Sequence, residues 1–118
     1  MSARNEDQRR SIEISNAVVR VFREYLGRGP TKARTLISED MITVVCRDTM
    51  TKAEQRLHER GEIDTVRHIR RKYQDAMRDD LIAVVEELTG RRVIAFLSDN
   101  HMDPDIAVET FVTEGGAG

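Results

Sequence analysis

The feature that most constrains the fold is one uninterrupted helical pattern in the second half of the chain. Apolar residues recur every three or four positions from Val66 to Leu88, and Gly90 follows as a helix stop. The pattern predicts a helix over 62–89, about 40 Å long at 1.5 Å per residue. A compact domain of this size has a radius of gyration of about 13 Å, so we expect the helix to extend beyond its own sheet.

The remaining elements are shorter. An apolar stripe predicts a first helix over 7–26, and Thr51-Lys52-Ala53-Glu54 has the form of a capping box that opens a short helix ending near Glu59. Apolar and β-branched runs predict strands over 33–38, 41–47, 92–99 and 106–113. This order predicts an α+β fold: N-terminal helix, β-hairpin, short helix plus long helix and second β-hairpin, with helices packed on one face of an antiparallel sheet.

The second predicted strand, Met41-Ile42-Thr43-Val44-Val45-Cys46, shows little alternation between apolar and polar residues. Strands that are buried on both faces have near-continuous apolar runs, whereas half-buried strands alternate. We therefore expect this strand to be covered on both faces. Glu39-Asp40, just before it, is typical of a two-residue hairpin turn.

Length and composition limit the class of protein. The 118 residues fit a single domain over 9–113, with a flexible N-terminus over 1–8 and a disordered tail over 114–118. A net charge of -2 and only 4% aromatic residues argue against nucleic acid as a partner. The polar N-terminus and the lack of a long apolar run predict no direct membrane insertion. The single cysteine, Cys46, fits a cytoplasmic location.

A loop that contains two glycines, Gly27-Arg28-Gly29-Pro30, follows the first helix, with Lys32 close behind. In one interpretation the loop is a helix stop, with Gly27 as the cap and Pro30 preventing continuation. In the other, free amides with Arg28 and Lys32 bind a phosphate, a carboxylate or a partner. The negative end of the helix dipole disfavours an anion there, and Arg28 has no evident structural role.

Other reactive side chains form no recognisable constellation. Asp99, His101, Asp103 and Asp105 are close in sequence, but their spacing matches no EF-hand, and Asp and Pro are ordinary turn residues. Cys46 lies in an apolar strand, where a thiol is normally inert. We expect no catalytic residue, no metal site and no cofactor.

The long helix is basic in its first half and acidic in its second. The charged residues are Arg67, His68, Arg70, Arg71 and Lys72, then Asp79, Asp80, Glu86 and Glu87. They form either a solvated face or an antiparallel pairing with the same helix of a second copy, as in a two-fold homodimer. In the second case Tyr73, Met77 and Leu81 would supply the buried dimer interface.

Several short motifs occur in a fixed order. They are Gly27-Arg28-Gly29-Pro30, Glu39-Asp40-Met41-Ile42, Met50-Thr51-Lys52-Ala53-Glu54, the helix end 86–93, Ser98-Asp99 and Asp105-Ile106-Ala107-Val108. Together they resemble the MpsC-like family, named for the small soluble component of a Na+-translocating, membrane-potential-generating system. The resemblance covers roughly residues 10–113. Met50 stands where the family usually has Leu, which is a conservative core exchange.

The resemblance implies a small cytoplasmic protein linked to membrane transport of cations or bicarbonate, with no catalytic residue or cofactor to carry over. It makes the matching positions candidates for shared structure or for contact with a partner. These positions are Gly27, Arg28, Gly29, Pro30, Thr51, Ser98 and Asp99.

Three functional hypotheses follow. The first is a non-enzymatic, dimeric accessory protein that acts with a membrane transport protein. The second is a sensor for an anion or small ligand that uses Arg28, Lys32 and the Ser98-Asp99 region. The third is an enzyme that uses Cys46 or His101. We take the first as the prediction.

Overall fold

Two antiparallel hairpins combine into one four-stranded sheet. The computed structural model describes residues 3–114. The strands are β1 (Lys32–Ser38), β2 (Met41–Arg47), β3 (Val93–His101) and β4 (Ile106–Thr113). Their order is β1-β2-β4-β3, so the hairpins meet through β2 and β4, while β1 and β3 form the edges.

Three helices accompany the sheet: α1 (Ala3–Leu26), α2 (Lys52–Glu59) and α3 (Ile63–Thr89). α1 contacts β1 and α3, α3 contacts β3, and the short α2 packs on α3. The core is made by the apolar stripes of α1 and α3 and by alternate residues of β2 and β4. Because burial alternates along both central strands, only one face of the sheet is covered by helices. The predicted α+β fold is confirmed.

The element boundaries follow the sequence patterns closely, with one larger shift at the N-terminus. α1 begins at Ala3, four residues before the predicted start, so residues 3–8 of the segment expected to be flexible are helical. The predicted capping box is present at the start of α2. The predicted disordered tail, apart from Glu114, lies outside the described residues.

The expectation that β2 is covered on both faces is wrong for the single chain. Ile42, Val44 and Cys46 are fully buried against the helices, but Met41 is 45% exposed on the opposite face, and Val45 is half-buried there. The sequence pattern reflects apolar residues on both faces, whereas the helices cover only one.

Two of the three residues predicted to form a dimer interface lie inside the chain. Met77 and Leu81 of α3 are buried in the core with α1 and the sheet, because the stripe that they belong to is the face that α3 turns toward its own domain. Tyr73 remains partly exposed. Met77 and Leu81 are therefore not available at the surface of the single chain to form the predicted interface.

Within residues 3–114, no helix combines the length and the apolarity needed to span a bilayer.

Candidate functional site

Three connections lie at the same end of the sheet. They are the α1–β1 loop (27–31), the β2–α2 loop (48–51) and the β3–β4 loop (102–105). The strand register places them together, because Lys32 pairs with Arg47, Arg47 with Ile106, and Ile106 with His101. The polar side chains around these loops form the candidate site.

Asp105 joins the β3–β4 loop to the β2–α2 loop. Its Oδ1 accepts a hydrogen bond from the Thr49 hydroxyl at 3.0 Å, and its Oδ2 accepts one from the Met50 amide at 2.8 Å. Its backbone carbonyl accepts a third from the Asp48 amide at 3.1 Å. Both carboxylate oxygens of Asp105 accept hydrogen bonds from hydroxyl or backbone donors of the β2–α2 loop, so Asp105 holds the two loops together.

A buried arginine connects α3 to the same loops. The Arg70 Nε donates to Asn100 Oδ1 at 3.0 Å, and its Nη2 donates to the Thr49 hydroxyl. Its Nη1 lies 3.5 Å from Glu54 Oε2, and both side chains are almost fully buried. Burying two charges is costly unless they are paired with each other and hydrogen-bonded, as they are here.

The capping box of α2 positions the carboxylate that faces Arg70. Glu54 Oε1 accepts from the Thr51 amide at 3.0 Å, while the Thr51 hydroxyl accepts from the Glu54 amide at 3.2 Å. The Oε2 atom of Glu54 makes no hydrogen bond within the described chain, so its compensation is the charge of Arg70. A local helix-start motif thus orients half of a buried ion pair.

The glycine loop is a helix stop with a structural arginine. Gly27 has a φ of +76°, as a left-handed helix cap requires. A Cβ at position 29 would lie 2.8 Å from Val19 Cγ1, so any larger residue would force Val19 to shift. Arg28 donates from Nη1 to the Met50 carbonyl and from Nη2 to the Asp48 carbonyl, both at 3.0 Å. Arg28 therefore has the structural role that its sequence position did not reveal.

A second buried carboxyl group lies on the helix-covered face of β4. Glu109 is fully buried, and its Oε1 accepts a hydrogen bond from the Ser98 hydroxyl at 2.9 Å. Burial raises the Glu109 pKa to about 7, although Ser98, Gln74 and Arg70 each act to lower it. Its Oε2 and the Gln74 Nε2 make no hydrogen bond among the described residues. Glu109 is thus a buried acid that titrates near neutrality.

The anion site predicted from Arg28, Lys32 and Ser98-Asp99 is not assembled. Lys32 lies on β1 and Asp99 on β3. These edge strands are three strand spacings, or about 14 Å, apart. Ser98 contacts Glu109 on the covered face, whereas Asp99 is exposed on the other face. The guanidinium of Arg28 already serves two carbonyls. The structure therefore does not bring these residues together, and the sensor remains an alternative prediction.

The two residues proposed for catalysis also lie apart. Cys46 is fully buried on the covered face, and burial, followed by the Glu109 charge, raises its thiol pKa to about 12. His101 is exposed, and its Nδ1 lies 2.9 Å from the Pro104 carbonyl oxygen. A buried thiol that stays protonated at neutral pH is a poor nucleophile. Within residues 3–114, no three His, Cys, Asp or Glu side chains are arranged to hold a metal ion.

A narrow pocket beside the network is lined by Glu54, Arg70, Tyr73 and Gln74, together with apolar residues of α1 and α3. Its volume of about 10 Å³ matches roughly one water molecule, which is too small for an organic substrate. The network can therefore position loops, but it offers no room for a bound reactant.

Sequence reasoning missed the two buried charged residues Arg70 and Glu109, although both carried a signal. Arg70 stands four positions after Val66 and seven before Met77, on the apolar stripe of α3. Glu109 falls between Ala107 and Phe111, on the covered face of β4. A charged residue at a core position of a strong pattern indicates a buried, paired group.

Comparison with known families agrees with the resemblance. The chain matches the family model described as "Na+-translocating membrane potential-generating system (MpsC)" over residues 7–115. Comparison with curated proteins and with solved structures gives no significant match. The resemblance seen in the sequence motifs is confirmed by a match that spans nearly the whole chain.

Proposed function

Because the chain belongs to the MpsC family, we propose that it is a non-enzymatic accessory protein of a Na+-translocating membrane system and acts in the cytoplasm by binding. One observation carries the proposal: motifs that are distant in sequence meet at one end of the sheet. Arg28 joins the α1–β1 loop to the β2–α2 loop, Asp105 joins the β3–β4 loop to the same β2–α2 loop, and the Thr51–Glu54 capping box connects that loop to α2. Loops held this way form a preorganised surface, which reduces the ordering cost of binding a partner.

The chemistry of the buried groups supports binding rather than catalysis. Glu54 and Arg70 neutralise each other, and the carboxylate of Asp105 is occupied by Thr49 and Met50. Catalytic acids and bases need access to a substrate in addition to a suitable pKa. Glu109 has a pKa near neutrality, but it is fully buried.

Replacement of Arg28 by Ala is expected to impair the accessory function. Without the guanidinium, the Asp48 carbonyl loses its side-chain donor and the Met50 carbonyl keeps only that from Gln55, so the loops at this end of the sheet are held less firmly. The measurement is the Na+-dependent membrane potential, read with a potential-sensitive dye in native-host cells that lack this chain. The wild-type chain should restore the potential, whereas Arg28→Ala should restore less than half of it.

Arg71→Ala is the matched control, because Arg71 is an exposed arginine that lies on α3 and not in one of the three loops. It should restore the potential as the wild type does. Expression level and melting temperature are measured for both variants. If both values are equal, a lower potential with Arg28→Ala reflects loss of contact with the partner and not loss of folded protein. A Na+-dependent potential that is unchanged when the chain is deleted contradicts the proposed function.

A further inference from the structure

The face of the sheet that points away from the helices carries exposed apolar residues, and α1 reaches it at the β1 edge, where Ile12, Arg34 and Leu36 line one pocket. Leu36 is 49% exposed, Met41 45% and Leu97 58%. Thr43 and Thr110 lie between Leu36 and Leu97, and half-buried apolar residues lie in the other rows, namely Val45, Ile106, Val108 and Val112. We call this surface the outer face. A contiguous exposed apolar surface on a small domain is typical of an interaction site.

The strand register orders the outer face into rows that cross all four strands. One row is Leu36, Thr43, Thr110 and Leu97, and the next is Arg34, Val45, Val108 and Asp99. The first row therefore has a leucine at each edge. The second has a cation at the β1 edge and an anion at the β3 edge, with valines between them.

We propose that the outer face binds a second copy of this chain, sheet against sheet. The two-fold axis lies in the interface between the two sheets. It runs parallel to the strands, over the boundary between β2 and β4. This rotation exchanges the two edges, so β1 of one copy faces β3 of the other. Arg34 then lies opposite Asp99 of the second copy, and Leu36 lies opposite its Leu97. Because the interface is isologous, each contact occurs twice.

The charge arrangement favours a second copy over other occupants. Lys32, Arg34 and Arg47 form a cationic corner at the β1–β2 side, whereas the exposed acid Asp99 lies on β3. The row from Arg34 to Asp99 has opposite signs at its two ends, so it is complementary to itself after the two-fold rotation. An anionic membrane would instead favour cations across the whole face.

The size of the outer face is sufficient for specific association. Its rows span about 20 Å along the strands and about 14 Å across them, so with side-chain margins each copy buries about 500 Å². The total of about 1,000 Å² lies at the lower limit of specific interfaces, so we expect a dimer that forms at micromolar concentration. The strand directions of two packed sheets differ by up to about 30°, which separates facing residues near the edges. The long Arg34 side chain can still reach Asp99 of the second copy across this separation.

This arrangement also explains the apolar pattern of β2. The sequence of β2 predicts that both of its faces are buried. The helices bury one face, and a second copy of the chain would bury the other. The outer face lies on the opposite side of the sheet from the buried network, so this dimer does not depend on the proposed accessory function.

Sedimentation equilibrium of the full chain tests the proposal. The wild type should show twice the chain mass of 13.5 kDa as concentration rises through the micromolar range. Leu97→Glu should raise the dimer dissociation constant at least tenfold, because each dimer would bury two unpaired carboxylates. The control is Ala83→Glu, since Ala83 is exposed on α3, which packs on the other face of the sheet, and the substitution should leave the dissociation constant unchanged.

Charge exchange tests the orientation of the two copies. Arg34→Glu and Asp99→Arg should each weaken the dimer, because like charges then face each other. The two substitutions combined should restore most of the lost association, since opposite charges again meet. A wild-type chain that stays monomeric up to millimolar concentration overturns the proposal. So does a dimer that Leu97→Glu leaves intact, or one that the combined exchange fails to rescue.

Discussion

Replacement of Arg70 by Met is expected to lower the free energy of unfolding by about 3–5 kcal/mol, the largest effect that we predict for a single side chain. The substitution keeps the apolar stem but removes the charge that compensates the buried Glu54 carboxylate. Thr49 and Asn100 lose their hydrogen-bond donor at the same time. Urea unfolding followed by far-UV circular dichroism gives the free energy of each variant.

Two further variants identify the cause of this loss. Arg71→Met changes the neighbouring, exposed arginine and should alter the free energy of unfolding by less than about 0.5 kcal/mol. Adding Glu54→Gln to Arg70→Met should recover part of the stability, because it removes the unpaired buried charge and keeps an acceptor for the Thr51 amide. Similar losses for Arg70→Met and Arg71→Met would contradict the buried ion pair.

Replacement of Glu109 by Gln is expected to stabilise the protein at neutral and alkaline pH. Burial raises the folded-state pKa of Glu109 to about 7, above its ordinary value of 4.5. The folded state favours the protonated acid over the carboxylate. The contribution of Glu109 to stability is therefore fully present below pH 4.5 and is lost as the pH rises through about 7. The loss amounts to roughly 3 kcal/mol above the folded-state pKa.

The difference between wild type and Glu109→Gln isolates this group, since other titrations are common to both proteins. The variant should match the wild type near pH 4 and be more stable by up to roughly 3 kcal/mol at pH 8. Its amide can still accept the Ser98 hydroxyl. Glu87→Gln, at an exposed position of α3, should show no such trend. A stability difference for Glu109→Gln that does not change with pH would contradict the raised pKa.

Local patterns in the sequence predicted most of the fold, because each depends on neighbouring residues only. The period of α3, the cap at Thr51 and the turn at Glu39-Asp40 all occur where expected. Strand order depends on contacts between distant segments, and no local pattern encodes it. The assignment of Met77 and Leu81 to a dimer failed for the same reason: periodicity shows that a face is apolar, but not which partner covers it.

The candidate site was less predictable than the fold. The partners of Arg70 come from three separate segments, at Thr49, Glu54 and Asn100, so only the folded chain brings them together. The motifs did mark the right regions, since Arg28 and Asp105 both belong to the network. They could not show that these side chains bind the protein's own backbone rather than a ligand.

The central claim is that the buried network supports a binding surface and performs no chemistry of its own. The most direct test is the Na+-dependent membrane potential of native-host cells in which Glu109→Gln replaces the wild-type chain. If the network is structural, the variant is stable, cannot exchange a proton at this position and restores the full potential. A folded, normally expressed Glu109→Gln chain that fails to restore the potential would contradict the account, because proton exchange at Glu109 would then be part of the function.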